Sequence, residues 1–228
     1  VFESAVEERL ETFYQRFGRE HISVLASCGV VRLVLSLAGS DHAVEMRLSE
    51  MESLLRESLG ADVAGVDVGG LEHAVLSRLA AVSQTLAAAE SCTGGLLAAR
   101  ITDVPGASDV FLGGVVTYSN QAKEDFVDVP HAILVENGAV SEPVARAMAT
   151  GVRSRFGSDW GVGITGIAGP SGGTEDKPVG LVHWAVAGPV DTVSEHRVFP
   201  GDRAAIRRWA VHLSLDLLRR RMDLVEPE

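Results

Sequence analysis

Three residues of this chain have the types and neighbours suited to covalent catalysis: Ser91, Tyr118 and Lys123. Ser91 lies in Ala88-Ala-Glu-Ser-Cys-Thr-Gly-Gly95, where the short apolar run Leu86–Ala89 gives way to Ser, Thr and paired glycines. The pattern predicts a buried strand, a sharp turn and a helix opening at Ser91 and running to about Ile101. Backbone N–H groups at a helix start have no intrahelical partner. Those around Thr93, Gly94 and Gly95 therefore offer donors for a phosphate, or for the oxyanion formed when Ser91 attacks a carbonyl. The glycines permit close approach of a substrate to the backbone. Read alone, Ser91 is also a fitting N-cap.

The second segment is Tyr118-Ser-Asn-Gln-Ala-Lys123. A tyrosine at a strand end and a lysine early in the next helix can face one cleft. A neutral lysine deprotonates a serine, provided burial or a nearby cation lowers its pKa. Tyr118 would relay the proton or orient the amine. Taken singly, Lys123 also reads as a solvated helix lysine and Tyr118 as a packing residue. Short-chain dehydrogenases also combine Ser, Tyr and Lys, but at a different Tyr–Lys spacing. No G-x-G-x-x-G follows an N-terminal strand here, so a dinucleotide fold is not supported.

The third segment, Thr165-Gly-Ile-Ala-Gly-Pro-Ser-Gly-Gly-Thr174 followed by Lys177-Pro-Val-Gly180, is Gly-rich after a strand. It reads as a phosphate or ribose cradle, or as a tight surface turn. It is not a P-loop, since no Gly-Lys-Ser/Thr ends it. The histidines (His21, His42, His73, His131, His183, His196 and His212) show no metal-ligand spacing, so neither metal nor cofactor is assigned. His183 falls inside a strand pattern and reads as a core or edge residue.

These residues must be positioned by the surrounding elements. Phe2, Val6, Leu10, Phe13 and Phe17 recur at helical spacing up to Gly18. Strand-like runs follow at Ile22–Ser27 and Val30–Ala38, then a helix at Val44–Leu59 and a short strand candidate at Asp62–Val66. This makes a small α+β domain over residues 1–72, without a catalytic cluster. A helix from Leu71 to Val82 opens the second region. Strands are predicted at Leu86–Ala89, Asp109–Tyr118, Trp160–Thr165, Val179–Ala187 and Val193–Phe199. Helices are predicted at Asn120–Phe126, Glu142–Phe156 and, capped by Asp202, to about Met222. Strands alternating with helices argue an α/β layered sheet flanked by helices over residues 73–228. The final Val-Glu-Pro-Glu reads as a frayed tail.

Bulk composition bounds the function. Hydrophobic residues are 46% and charged residues 22% of 228, a globular balance. The net charge of −11 disfavours a general nucleic-acid binder. No apolar run approaches the roughly 20 residues of a membrane span, and acidic Glu3, Glu7 and Glu8 stand where a signal peptide is basic. Cys28 and Cys92 form no disulfide or metal framework, which points to a reduced, cytoplasmic setting. The opening Val1 reads like the inside of a longer chain.

Together the segments resemble the C-terminal domain of the CinA family, the nicotinamide mononucleotide deamidase also found as a stand-alone PncC protein. The likeness runs through Ala89-Glu-Ser-Cys-Thr-Gly-Gly-Leu-Leu-Ala98, Thr102-Asp-Val-Pro-Gly106, Phe111-Leu-Gly-Gly-Val-Val-Thr-Tyr-Ser-Asn120 with Lys123, Gly138-Ala-Val-Ser141, Thr165–Pro170 with Gly172-Gly-Thr174, Lys177–Gly180, and Phe199 with Gly201-Asp-Arg203. It covers about residues 73–222. The resemblance implies a Ser–Tyr–Lys amidohydrolase: Ser91 the nucleophile, Lys123 its base, Tyr118 assisting. It also implies substrate contacts at Thr93, Gly94, Gly95, Asn120, Thr165, Gly166, Gly169, Gly172, Gly173, Thr174 and Arg203, and a homodimer or higher homo-oligomer. Residues 1–72 resemble the middle, KH-like domain of full-length CinA proteins, and the family's usual first domain is not expected within these 228 residues.

Two positions depart from the family pattern. Asp128 stands where glycine usually follows the lysine helix, and Asp tolerates left-handed geometry better than most residues. Ser171 interrupts a glycine run and would narrow the loop. The competing function is a nucleotide-binding or assembly domain of a competence- or damage-inducible protein with little catalysis. The intact Ser91, Tyr118 and Lys123 favour chemistry instead. RNA binding is disfavoured by the acidic charge and the lack of Gly-x-x-Gly in the first domain.

Overall fold

A computed structural model describes residues 3–27 and 30–224. Phe2, Cys28 and the tail after residue 224, on which the sequence reading placed expectations, lie outside the described residues. The chain divides into two compact units, Val1–Val66 and Asp67–Glu228.

In the first unit the amphipathic start forms two helices, α1 (Glu3–Arg9) and α2 (Glu11–Phe17), with the break at Leu10. A hairpin of β1 (Ile22–Ser27) and β2 (Val30–Leu35) follows, in the register Ile22↔Leu35 to Ser27↔Val30. Helix α3 (His42–Leu59) starts at Asp41, whose carboxylate accepts from the Val44 amide at 3.0 Å. Leu10, Phe13, Phe17, Met51 and Leu55 bury the shared apolar faces. The strand expected at Asp62–Val66 does not form: Gly60–Asp62 is a 3-10 turn and the rest is irregular. Gly65 breaks that short run, and the sheet here stops at two strands.

The second unit is a three-layer sandwich. Helix α4 (Leu71–Ala81) leads to β3 (Leu86–Glu90), then α5 (Leu96–Thr102), β4 (Phe111–Val116), α6 (Asn120–Val127), α7 (His131–Asn137), α8 (Glu142–Phe156), β5 (Trp160–Gly166), β6 (Leu181–Ala187), β7 (Thr192–Val198) and α9 (Arg203–Leu224). The sheet order is β4-β3-β5-β6-β7. β3 runs parallel to both β4 and β5, while β6 and β7 add antiparallel strands. Helix α7 has no counterpart in the sequence reading, because its one buried apolar residue, Leu134, leaves no periodic stripe to read.

One face of the sheet packs under α4, α5 and α9 around Leu79, Leu97, Trp160, Trp184 and Leu215. The other packs under α6, α7 and α8 around Ala87, Ala89, Val127, Leu134 and Met148. β3 is buried at every position, as expected of a central strand in a parallel region. Helix α8 sits close over β5 and β6, with Ala145 and Ala149 against Ala185 and Ala187. Gly163 permits that approach, since a Cβ there would lie 2.4 Å from the Ala145 carbonyl oxygen and 2.5 Å from the Ala149 nitrogen. Gly163→Ala should therefore lower unfolding stability by about 2 kcal/mol, the cost of overpacking against backbone. Chemical denaturation checks this, and an unchanged midpoint would contradict the close packing.

Candidate active site

The inner strand β3 leads directly into Ser91. Ser91 directly follows β3, and its amide still donates to Ile164 O of β5 at 2.9 Å. On the other side, the Thr117 amide donates to Glu90 O at 2.8 Å. Both parallel ladders thus run one step past their strands and fix Ser91 between β4 and β5, at the carboxyl ends where open α/β sheets place their ligands.

The helix expected to open at Ser91 begins later, at Leu96; residues 91–95 form a tight turn instead. Glu90 explains it. Its carboxylate is only 1% exposed and accepts from the amides of Gly95 (3.1 Å), Leu97 (3.0 Å) and Ala98 (2.8 Å). A buried carboxylate thus satisfies the α5 N-terminus from within. The Gly94 amide closes the turn on Ser91 O at 3.1 Å, with φ +59° at Gly94 and +93° at Gly95. The amides of Gly94 and Gly95, expected as anion donors, are therefore already engaged. Arg207 of α9 donates from both Nε and Nη2 to Thr93 O, clamping the turn from outside. The Thr93 hydroxyl is buried and has no partner among the described residues.

Lys123 lies in the first turn of α6, whose N-cap Ser119 accepts from the Ala122 amide at 3.1 Å. It is no solvated lysine, being 1% exposed. Its Nζ donates to Ser91 Oγ at 3.1 Å and to Thr117 O at 2.9 Å, with Tyr118 O at 3.5 Å. Among the described residues no carboxylate pairs with it. Burial therefore holds its pKa below the usual 10.5. Ser91 itself is 8% exposed. The neighbouring Cys92 thiol is pushed up to about 12 by burial, so it stays protonated and is no rival nucleophile.

Tyr118 reaches the lysine only through its main chain. Its ring is 62% exposed and its hydroxyl accepts from Arg203 Nη2 at 3.1 Å. Arg203 Nη1 donates to Gly169 O at 2.8 Å, tying the start of α9 to the Gly-rich loop. Other expected contacts serve the scaffold. Thr165 Oγ1 donates to Ala139 O at 2.7 Å. Thr174 closes a turn with Lys177, its amide on Lys177 O at 2.9 Å and its hydroxyl accepting from the Lys177 amide at 3.1 Å. Gly173 sits where a Cβ would lie 2.7 Å from the Val179 nitrogen. Gly166 ends β5, Gly172 lies in the loop, and Asn120 is exposed at the start of α6. Asp128 takes the left-handed C-cap of α6, with φ 52°, and Ser171 is exposed. His183 stacks on His196 across β6 and β7, with ring centroids 5.1 Å apart.

Sequence reading missed Glu90, Thr117 and Arg207. Glu90 carried a signal: a carboxylate ending an all-apolar strand must find donors once buried. Two outcomes follow from this geometry. Glu90→Ala should lower stability by about 3 kcal/mol, because it orphans the buried amides, and Glu90→Gln by less; thermal melts check both. For Lys123, the unfolded chain retains a proton that the folded chain has released between the lowered pKa and 10.5. Folded stability from this group therefore rises with pH across that interval. Relative to Lys123→Met, the parent should gain stability as pH is raised toward 10.5; a pH-independent difference would contradict a depressed lysine.

The comparisons with known proteins agree with this architecture. Residues 69–222 match the family model of the CinA C-terminal domain. A CinA-like protein of Frankia casuarinae is 46% identical over 96% of this chain and 52% of its own length. One from Anaeromyxobacter sp. strain K is 54% identical over 70% of this chain and 39% of its own. The chain spans about half the length of the curated relatives it matches. Among solved structures, the competence/damage inducible protein CihA of Agrobacterium tumefaciens matches with TM-score 0.65 and 37% identity, over 67% of this chain and 93% of that one. A CinA superfamily protein of Klebsiella pneumoniae matches with TM-score 0.66 and 33% identity, over 68% and 97%. With the family model covering well over half of its residues, the chain belongs to the CinA family and carries its C-terminal domain.

Proposed function

We propose that the chain hydrolyses the carboxamide of nicotinamide mononucleotide to nicotinate mononucleotide and ammonia. The observation that carries the chemistry is the buried Lys123 Nζ, 3.1 Å from Ser91 Oγ with its pKa depressed. With the amine neutral, the Ser91 hydroxyl donates to Nζ across the same distance, as a nucleophile does to its base. The substrate itself rests on the family resemblance.

In this reading neutral Lys123 takes the Ser91 proton as Oγ adds to the carboxamide carbon. The tetrahedral intermediate collapses, the C–N bond breaks, and Lys123 returns the proton to the departing nitrogen, which leaves as ammonia. Water then adds to the acyl-serine, Lys123 again holding the proton, and the acid is released as Ser91 recovers its hydrogen. Tyr118 assists through its carbonyl, which helps hold the amine. Because Glu90 occupies the α5 N-terminus, the substrate phosphate falls to the cationic Arg203 beside Tyr118 and the Gly-rich loop. The protein would work in the cytoplasm as a homodimer or higher homo-oligomer, with residues 1–72 as a KH-like domain. The names of the solved relatives, competence/damage inducible proteins, favour the second reading, a nucleotide-binding or assembly domain.

An ammonia-release assay with the nucleotide tests the proposal. The parent should release ammonia, and Ser91→Ala and Lys123→Ala should each lose at least about a hundredfold, the scale of a missing catalytic base. Nucleotide binding without ammonia from the parent would favour the second reading.

A further inference from the structure

Thr117 has a buried hydroxyl that takes no part in the Ser91–Lys123 pair. The residue is fully buried, yet its Oγ1 meets no hydrogen-bond partner among the described residues. Its main chain is fully used: the amide donates to Glu90 O at 2.8 Å and the carbonyl accepts from Lys123 Nζ at 2.9 Å. Burying a hydroxyl unpaired is unfavourable, and such groups in a native protein call for an explanation.

Position supplies one. Val115 and Ala89 lie together in the core under α8. Side chains alternate along strands, so two residues on, Thr117 and Ser91 share that same face at the ends of neighbouring strands. The Thr117–Glu90 bond keeps those strands at ladder spacing, about 4.8 Å. Thr117 thus directly follows β4, level with the nucleophile directly after β3, and its carbonyl grips the base.

We propose that Thr117 Oγ1 is a substrate-contacting hydroxyl which accepts an N–H of the carboxamide nitrogen as it becomes the leaving group. The inference rests on the amidohydrolase reading. The contact orients the nitrogen toward Lys123 for the returning proton, and favours a primary amide over a group without N–H. A hydroxyl with no partner among the described residues then gains one when substrate binds.

The test compares the parent with Thr117→Val, which keeps the volume, and Thr117→Ser, which keeps the hydroxyl. Melting temperature and the pH dependence of ammonia release from nicotinamide mononucleotide are measured for each. Thr117→Val should melt at or above the parent temperature, yet lose at least tenfold in kcat/KM with the midpoint of its pH profile unmoved. Thr117→Ser should retain most of the rate. A lower melting temperature for Thr117→Val would show that the hydroxyl is already satisfied within the protein. A displaced pH midpoint would show that it acts through Lys123, and an undiminished rate that it touches nothing; each overturns the inference while leaving the amidohydrolase standing. No ammonia from the parent would overturn the amidohydrolase reading, and with it the assignment of Thr117 to a leaving nitrogen.

Discussion

A lysine nitrogen removed from water needs either a counter-charge or a reason to shed its proton. Lys123 has no carboxylate beside it among the described residues. It has two backbone carbonyls and the Ser91 hydroxyl. Neutral acceptors compensate an ammonium only in part, and the neutral amine gains by comparison. The same burial that makes this lysine a poor surface residue makes it a usable base. Much of the second unit can be read as what holds one hydrogen bond in place: β3 carries the serine, β4 carries the carbonyl that grips the lysine, and α6 delivers the lysine itself.

Charge is handled differently one residue away. Glu90 is as buried as Lys123, but it faces the opposite side of β3 and takes its compensation from the amides of α5. A carboxylate paired directly with Lys123 would favour the protonated amine and silence it. Alternation sends Glu90 and Ser91 to opposite faces: the anion shapes the turn, and the amine beside Ser91 has no carboxylate partner among the described residues. Arg207 closes the arrangement by fixing the Thr93 carbonyl.

The sequence made some of this legible. Taken singly, Ser91 also reads as an N-cap and Lys123 as a solvated lysine; they stand out because their segments together resemble one family. The layered fold was legible because β3 is apolar throughout and α8 has a clean stripe. What escaped depends on three-dimensional partners. The delayed start of α5 reflects hydrogen bonds to Glu90 that no spacing rule reports. The Tyr118 hydroxyl turns to Arg203, 85 positions away, so a reading that paired it with Lys123 by proximity could not foresee it. The strand expected at Asp62–Val66 is interrupted by Gly65 and has no neighbouring strand to pair with among the described residues.

The chain contains two lysines, Lys123 and Lys177. Lysine labelled with carbon-13 at the ε position therefore gives two resonances, and Lys177→Arg assigns them. Titrating the labelled protein tests whether Lys123 can serve as the base. The Lys123 resonance should pass through its midpoint clearly below the usual 10.5. A midpoint at or above that value would mean that the amine next to Ser91 stays charged at working pH, and would contradict its assignment as the base.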